Sequence, residues 1–320
     1  MKNRIDYLTP GGNGEGNLMK RRIHIILAVL AISTLCACST KTSRDLVEQK
    51  VPTHALEELL PLASKGDPQA QYSVGLMYLN GWGVAQDDSE AASWFAKSAK
   101  RGNAESRANL GDLYAQGLGL KRDPIKAIKW YKMAALQGNA HAASCLGNIY
   151  LNGEGVPQDF SEAASWYRMA AEQGDIMAQG IVGYFYDHGL GVHQDFSEAA
   201  RWYRMAAERG DAVIQFNLGF MYANGQGVQQ SYEEAAKWYR KSAVQGYDKA
   251  QYHLGILYSK GLGVRQDYMQ AYLYFQLAAD QGIRHAAEYL DIMVNLMTPA
   301  QIAQAKEKAR TLKDSTNLAN

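Results

Sequence analysis

The sequence has little net charge, and this excludes one broad class of partner. Its 33 lysines and arginines are almost balanced by 32 aspartates and glutamates, which leaves a formal net charge of +1 at pH 7. No basic stripe and no nucleic-acid-binding motif offsets this balance. Because nucleic-acid binding depends on concentrated positive charge, we expect no nucleic-acid partner.

Cysteine is scarce as well. The chain has three cysteines, and two of them, Cys36 and Cys38, lie in an N-terminal leader that is described below. Only Cys145 stays in the body of the protein, so no intramolecular disulfide is expected there. We interpret Cys145 as a small residue in or beside the core rather than as a reactive thiol.

Motifs of catalysis and cofactor binding are also missing. The sequence contains no HExxH, no SxxK, no KTG and no glycine-rich nucleotide-binding motif. These are the signatures of zinc proteases, of β-lactamases and of nucleotide-binding enzymes. A pair of possible metal ligands, His285 and Glu288, is too sparse to predict a metal site. We therefore expect no enzyme, no cofactor, no metal and no small-molecule substrate.

What the chain does have is a repeat of 36 residues. Glycines recur every 36 residues in two series, one of which runs from Gly102 to Gly282, and tryptophans recur at the same interval from Trp94 to Trp238. Self-similarity at a fixed period of roughly 20 to 50 residues indicates a repeat array. The other glycine series consists of Gly75, Gly111, Gly147, Gly183, Gly219 and Gly255.

Each unit contains two stripes of apolar or small residues at helical spacing. The first stripe includes Ala70 and Val74, and we name its helix A; the second includes Ala91 and Phe95, and we name its helix B. Two glycines lie in the loop between them, where a positive φ carries no Cβ penalty. The pattern predicts a helix, a loop and a helix in every unit.

Two further features of the units have structural interpretations. A glycine in the middle of a helix costs roughly 1 kcal/mol relative to alanine, so the glycine of helix A predicts the close approach of a neighbouring helix. We expect Trp94 and its equivalents to fill the space beside these glycines. Acidic residues that recur with the repeat, such as Asp159 and Glu162, are interpreted as N-terminal residues of helix B rather than as catalytic groups.

The units share the pattern A-x3-[LV]-G-x2-Y-x2-G-x-G-V-x-x-D-x3-A-x2-W-[FY]-x2-A-A-x-x-G. This pattern resembles the Sel1-like repeat, an αα-hairpin related to the tetratricopeptide repeat. The resemblance implies an all-α fold, a right-handed αα-hairpin solenoid of six 36-residue repeats with N- and C-terminal helical caps. The repeats are expected at residues 67–102, 103–138, 139–174, 175–210, 211–246 and 247–282.

Both ends of the array carry departures from the repeat that are typical of caps. With its caps the solenoid is expected to cover residues 54–312, starting with a single B-type helix. In the C-terminal cap, residues 283–312, Asp291 replaces the glycine of helix A, and Thr298 followed by Pro299 predicts the start of another helix. Residues 313–320 are expected to be a frayed tail.

The N-terminal region has the layout of a targeting sequence. Residues 1–18 show no periodicity, and we interpret them as an over-called extension before a true start at Met19. Residues 19–37 have the basic start and the short apolar run of a bacterial signal peptide. The segment LCAC resembles a lipobox, which implies lipidation of Cys38, and residues 38–53 would form a tether. By the same resemblance, Ser39 favours the outer membrane, so the body would lie in the periplasm.

Four positions of helix A, equivalent to residues 69, 72, 73 and 76, differ from unit to unit. In units four to six they bring several large apolar side chains onto one expected strip of the concave side. Such residues mark binding sites when they are exposed, but they could equally pack between adjacent A helices. The predicted partner-binding residues are Met177, Tyr184, Val213, Phe216, Phe220, Tyr252 and Ile256.

Two functions fit a rigid, anchored repeat protein. The first, which the family resemblance implies, is a periplasmic scaffold or adaptor that binds a protein partner on its concave face. The alternative is an immunity protein that sequesters a phospholipase effector of type VI secretion, because lipoproteins of this kind and size resemble such immunity proteins. The sequence does not separate the two.

Overall fold

A computed structural model describes residues 55–317, and within that range the chain forms fifteen α-helices and no strand. The expected signal peptide at 19–37, the lipidated Cys38 and the tether at 38–53 lie outside the described residues. Among the described helices, none combines the length and the apolar character that a membrane crossing requires.

The helices follow one another in pairs along the chain. Their bounds are α1 (Ala55–Lys65), α2 (Pro68–Asn80), α3 (Asp88–Lys100), α4 (Ala104–Gln116), α5 (Pro124–Ala135), α6 (Ala140–Asn152), α7 (Phe160–Glu172), α8 (Ile176–His188), α9 (Phe196–Ala207), α10 (Ala212–Asn224), α11 (Tyr232–Ala243), α12 (Asp248–Lys260), α13 (Tyr268–Asp280), α14 (Arg284–Val294) and α15 (Pro299–Asn317).

The chain divides into two compact units. The described residues up to Ser106, with Gln116–Arg122, form one unit, and Arg107–Ala115 with the described residues from Asp123 onward form the other. In the first, α1 packs on α2 and α2 packs on α3. In the second, each helix from α5 to α13 packs on the next. This order of packing confirms the predicted all-α fold built from αα-hairpins.

The ends of the helices are fixed by the residues that the sequence marks. The Asp159 carboxylate accepts hydrogen bonds from the backbone N–H groups of Ser161 and Glu162, at 2.8 and 3.0 Å, and so caps α7. At the other end of a helix A, Gly153 takes the left-handed conformation with φ +73° and ends α6. The prediction that the recurring aspartates are N-caps of helix B is confirmed.

The mid-helix glycines make room for an aromatic ring of helix B, but the ring is not the predicted one. A Cβ added at Gly147 would lie 2.8 Å from ring carbons of Tyr167. The prediction that Trp94 and its equivalents fill this space is wrong. The rings that do so belong to the next residue along the helix, Phe95, Tyr131, Tyr167, Tyr203, Tyr239 and Phe275.

The geometry of a helix explains the correction. Successive side chains point about 100° apart around the axis, so the residue after the tryptophan faces helix A and the tryptophan points to the flank. Trp94 packs instead at the edge of a cluster that includes Ala63 and Val74. Its outer face is covered by Lys97, whose ammonium lies 3.8 Å from the ring centroid.

The C-terminal cap is a pair of helices that packs on the last repeat. Helix α15 lies against α13, with Ala305 and Ala309 buried. Thr298 caps this helix, since its hydroxyl oxygen accepts from the Gln301 N–H and the Gln301 side chain accepts from the Thr298 N–H. The helix predicted after Thr298 is therefore present. It continues to Asn317, beyond the expected end of the cap at 312.

Candidate functional site

Helix A of each repeat carries four positions that differ between repeats, equivalent to residues 69, 72, 73 and 76, and we call them the variable positions. They lie on the helices α2, α4, α6, α8, α10 and α12. Their exposure is graded: Val213 is 46 % exposed, Phe216 and Phe220 are half-buried, and Ile256 is 5 % exposed. The variable positions therefore form both surface and core.

Aromatic rings from two successive repeats meet at the variable positions of α10 and α12. We call Phe216, Phe220, Tyr252 and His253 the aromatic patch. The centroid of the His253 ring lies 5.4 Å from that of Phe216, 6.1 Å from that of Phe220 and 5.4 Å from that of Tyr252. His253 is thus the centre of the patch.

Two tyrosines pack against Phe216 of the aromatic patch. The Phe216 ring stacks on Tyr239 with centroids 5.6 Å apart, and Tyr247 lies 5.3 Å away. Tyr239 is buried, being the helix B ring that packs on Gly219. Because one face of Phe216 is fixed by the core, its remaining exposed part is presented with little conformational freedom.

The patch is electrically neutral at neutral pH. Burial lowers the pKa of His253 to about 4, with a smaller contribution from the positive charge of Lys249. Burial likewise raises the pKa of Tyr247 to about 12, helped by Asp248 and Asp211. Both side chains therefore behave as uncharged, amphipathic rings, which are common in protein interfaces.

The structure separates the seven predicted partner-binding residues into three groups. Phe216, Phe220 and Tyr252 meet around His253. Val213 and Met177 are the most exposed, at 46 % and 42 %. The third group consists of Tyr184 and Ile256.

Tyr184 and Ile256 take up other roles. Tyr184 stacks on His188 in its own helix, with centroids 3.9 Å apart, and packs on the core below. Ile256 lies in the core cluster that contains Phe275, so it contributes no exposed surface. Both alternatives raised from the sequence therefore occur within the strip: some members pack between helices and others reach the solvent.

A variable position can also set the identity of a core residue. In the second and third repeats the position equivalent to 76 holds a polar side chain, Asp112 or Asn148, and accepts a 2.7 Å hydrogen bond from the hydroxyl of Tyr131 or Tyr167. In the first and sixth repeats this position is apolar, Leu76 or Ile256, and the core ring is a phenylalanine. In these four repeats the core hydroxyl occurs only where the variable position supplies an acceptor, whereas in the fifth repeat the ring is Tyr239 although the position is the apolar Phe220.

One group of variable positions contains the chemistry of metal ligands, and sequence reasoning did not assemble it. Asp112, His141 and Cys145 each offer one ligand atom, and these atoms lie within 4.8 Å of one another. The signal was present: His141 and Cys145 are four residues apart on one helix, and Asp112 is a variable position of the preceding repeat. The sequence candidate for a metal, His285 with Glu288, is an exposed pair.

Comparison with known proteins places the repeats in a family. The model of the Sel1 repeat matches six consecutive segments, residues 68–103, 104–139, 140–175, 176–211, 213–247 and 248–283. These segments start within two residues of the repeats predicted from the sequence. No curated protein has a sequence that matches this chain.

Solved structures share the fold. A protective antigen of uropathogenic Escherichia coli strains, which displays an SLR fold, is 32% identical with a TM-score of 0.70, and the match covers 83% of this chain and 60% of that one. This chain thus spans about 60% of the length of that antigen. A Sel1 repeat protein from Oxalobacter formigenes is 35% identical with a TM-score of 0.52, covering 67% of this chain and 86% of that one.

An immunity protein from Pseudomonas aeruginosa is more distant. It is 21% identical with a TM-score of 0.34, and the match covers 67% of this chain and 81% of that one. This similarity is too low to support an inference about function.

Proposed function

Because this chain belongs to the Sel1 repeat family, we propose that it is a protein-binding scaffold without a catalytic site, whose partner docks on the aromatic patch. Repeats of this family commonly build surfaces for protein–protein interaction. A solenoid of helix pairs is suited to this role because its variable positions can change without disturbing the packing between repeats.

The observation that carries the proposal is the arrangement of rings around His253. Binding energy in protein interfaces is concentrated in a few aromatic anchors that are already held in place. Here the core fixes one side of each ring, and part of the ring remains open to the solvent. Val213 lies three residues before Phe216 on the same helix face and extends the apolar surface outward.

The surroundings of the aromatic patch define the chemistry of the partner. Lys249, in the sixth repeat, occupies the position equivalent to Val213 and is exposed. The charges of Asp211 and Asp248 act on Tyr247, as the charge of Lys249 acts on His253, so the rim carries both signs. An apolar centre with such a rim fits a protein segment that presents an apolar side chain among polar ones. No folded ligand-binding cavity is needed for such an interaction.

We extend the proposal to the location of the protein. Residues 19–38 support export and lipid attachment at Cys38, which would hold the repeats in the periplasm at the outer membrane. An anchored scaffold would gather its partner at that membrane. The more specific alternative, an immunity protein that sequesters a type VI phospholipase effector, requires the same anchor and the same binding face, so the identity of the partner decides between them.

Affinity capture with a matched pair of variants tests the proposal. The bait is the chain from residue 54 onward, exposed to an envelope extract and, in parallel, to secreted effector proteins. Val213→Glu places a negative charge on the apolar surface, whereas Gln69→Glu adds the same charge at the equivalent exposed position of the first repeat. We expect the partner to be retained by the unchanged chain and by Gln69→Glu, and to be lost with Val213→Glu.

The outcomes separate the alternatives. Capture of envelope proteins supports the scaffold, and a single tight, stoichiometric toxin partner would replace it with immunity by sequestration. Equal retention by both variants would mean that the aromatic patch is not the binding site. Both variants change exposed side chains, so matching melting temperatures are expected and verify that folding is intact.

A further inference from the structure

Three side chains with the chemistry of metal ligands converge between the second and third repeats. Asp112 lies on α4, and His141 and Cys145 lie one turn apart on α6. The Nε2 atom of His141 is 3.0 and 3.1 Å from the two carboxylate oxygens of Asp112 and 3.6 Å from the Sγ atom of Cys145. One nitrogen therefore faces both the carboxylate and the thiol.

These separations are close to those between ligands of a bound zinc ion. Tetrahedral zinc, with Zn–N of about 2.0 Å and Zn–S of about 2.3 Å, holds its nitrogen and sulfur ligands about 3.6 Å apart and its nitrogen and oxygen ligands about 3.3 Å apart. The nitrogen and sulfur atoms already have this spacing. The nitrogen and oxygen atoms are a few tenths of an ångström closer than in a zinc site, and the Asp112 oxygen lies within 4.8 Å of the Cys145 sulfur. A side-chain rotation of Asp112 would therefore bring all three ligand atoms around one ion.

The surroundings of the three residues are those of a supported site with an open side. Tyr131, whose ring is packed on Gly111, donates a 2.7 Å hydrogen bond from its hydroxyl to Asp112 Oδ1. In metal sites, a hydrogen bond of this kind orients the carboxylate that binds the ion. The side chains of Asp112 and His141 are 16% and 36% exposed, so an ion can reach them from the solvent.

We propose that Asp112, His141 and Cys145 form a binding site for a zinc-class divalent metal ion, with Tyr131 as the residue that positions the carboxylate. Cys145 would bind as the thiolate, His141 through Nε2 and Asp112 through a carboxylate oxygen. Binding releases the thiol proton to the solvent. A thiolate and an imidazole favour zinc over the hard ions magnesium and calcium.

The three protein ligands leave one coordination position for water or another donor. The ion would also cross-link α4 to α6, and so tie the second repeat to the third. Within residues 55–317 no second group of three such ligands is present. This inference does not depend on the proposed protein-binding function, since none of its residues belongs to the aromatic patch.

The test is a titration of the full chain with Co²⁺, which takes up zinc sites and reports thiolate ligation through a charge-transfer absorption band. We expect one equivalent of Co²⁺ to produce the band and Zn²⁺ to displace it. Cys145→Ser should abolish the band, and His141→Ala should weaken binding strongly. Tyr131→Phe should weaken binding about 10- to 100-fold, as is usual when the hydrogen-bond partner of a metal ligand is removed.

Two controls make the assignment specific. The double variant Cys36→Ser/Cys38→Ser should keep the band, and so should His285→Ala, which removes the exposed histidine paired with Glu288. The proposal is overturned if no band forms, if the band survives in Cys145→Ser, or if the Cys36/Cys38 double variant loses it. A result without a band would leave Asp112, His141 and Tyr131 as a purely hydrogen-bonded network.

A second readout distinguishes metal binding from a fold defect. Zn²⁺ should raise the melting temperature of the unchanged chain and of His285→Ala, but not of His141→Ala. His141 is partly exposed, so His141→Ala is expected to keep its helical circular dichroism. The affinity for Zn²⁺ should also fall as the pH is lowered, because the thiol and the imidazole must lose their protons to bind.

Discussion

At the scale of single residues, the mid-helix glycines are places where a methyl group does not fit. The aromatic side chain that follows the tryptophan in helix B, or Tyr274 in the sixth repeat, lies directly against the glycine in each of the six repeats. The gain in helix propensity from a glycine-to-alanine change is thus opposed by a steric clash with a buried ring. Which effect is larger depends on whether the neighbouring atoms can move.

We predict that Gly147→Ala destabilises the protein by about 1–3 kcal/mol, the usual cost of overpacking. Its new methyl group would lie 2.8 Å from the Tyr167 ring, which is 1% exposed and cannot move aside. Gly180→Ala is the matched control, because its methyl group would meet only the flexible end of Ile214. Thermal unfolding of the two variants measures the difference, and equal stabilities would contradict this account of the glycines.

A second prediction at this scale concerns pH. The pKa of His253 is about 4 in the folded chain, below its ordinary value of 6.5, because burial disfavours the charged ring. Between these values the unfolded chain binds more protons than the folded chain, so stability falls as the pH drops from 6.5 through about 4. His253→Phe should reduce this loss, which unfolding experiments across the pH range would show as a smaller difference between pH 7 and pH 4.

Two other charged groups affect the pH dependence of the unchanged chain and of His253→Phe alike. Lys249 contributes positive charge near position 253 in both proteins. Asp187, whose pKa is raised by burial, titrates in acid in both proteins and cancels in the difference. An identical pH dependence in the two proteins would show that His253 is not buried as described.

At the scale of the helix, the start of each helix B is fixed by a side chain that the sequence identifies. Asp159→Ala removes the acceptor for two backbone N–H groups, and we predict a loss of about 1 kcal/mol, the typical value of an N-cap. Ser161→Ala, at an exposed position two residues later, should have little effect. Urea unfolding measures both, and a cost for Ser161→Ala as large as that for Asp159→Ala would argue against the cap.

The helices and their order could be predicted from the sequence because each signal is local and is repeated six times. The partner of a mid-helix glycine could not, since Trp94 and Phe95 are adjacent in sequence and only the rotation of helix B decides which one faces helix A. The length of α15 was also missed. Its Lys313 forms a 2.8 Å ion pair with Asp280, a contact with another helix that no local pattern reveals.

The candidate site was predicted less completely than the fold. The variable positions were found by comparing the repeats, and those positions include the aromatic patch and the Asp112, His141 and Cys145 group. Their burial was not visible, because Val213 and Ile256 are both apolar but 46% and 5% exposed. The sequence likewise does not show how closely neighbouring repeats pack. It is this packing that brings a carboxylate oxygen of Asp112 to 3.0 Å from Nε2 of His141.

At the scale of the whole molecule, the proposed lipid anchor is a property of the N-terminal region alone. We predict that Cys38→Ser moves the protein from the membrane fraction to the soluble periplasmic fraction, because several acyl chains are needed for stable attachment. Cys36→Ser is the control and should leave the membrane association intact. Fractionation with labelling by a fatty acid checks both, and continued membrane association of Cys38→Ser would remove the anchor from the account.

The central claim is that a protein partner docks on the aromatic patch, and site-specific photo-cross-linking in living cells tests it most directly. A photoreactive amino acid is placed at position 213, beside the patch, and in a second strain at position 69, the equivalent site of the first repeat. We predict a discrete cross-linked product from position 213 and none from position 69. Products of the same size from both positions, or from position 69 alone, would contradict the claim.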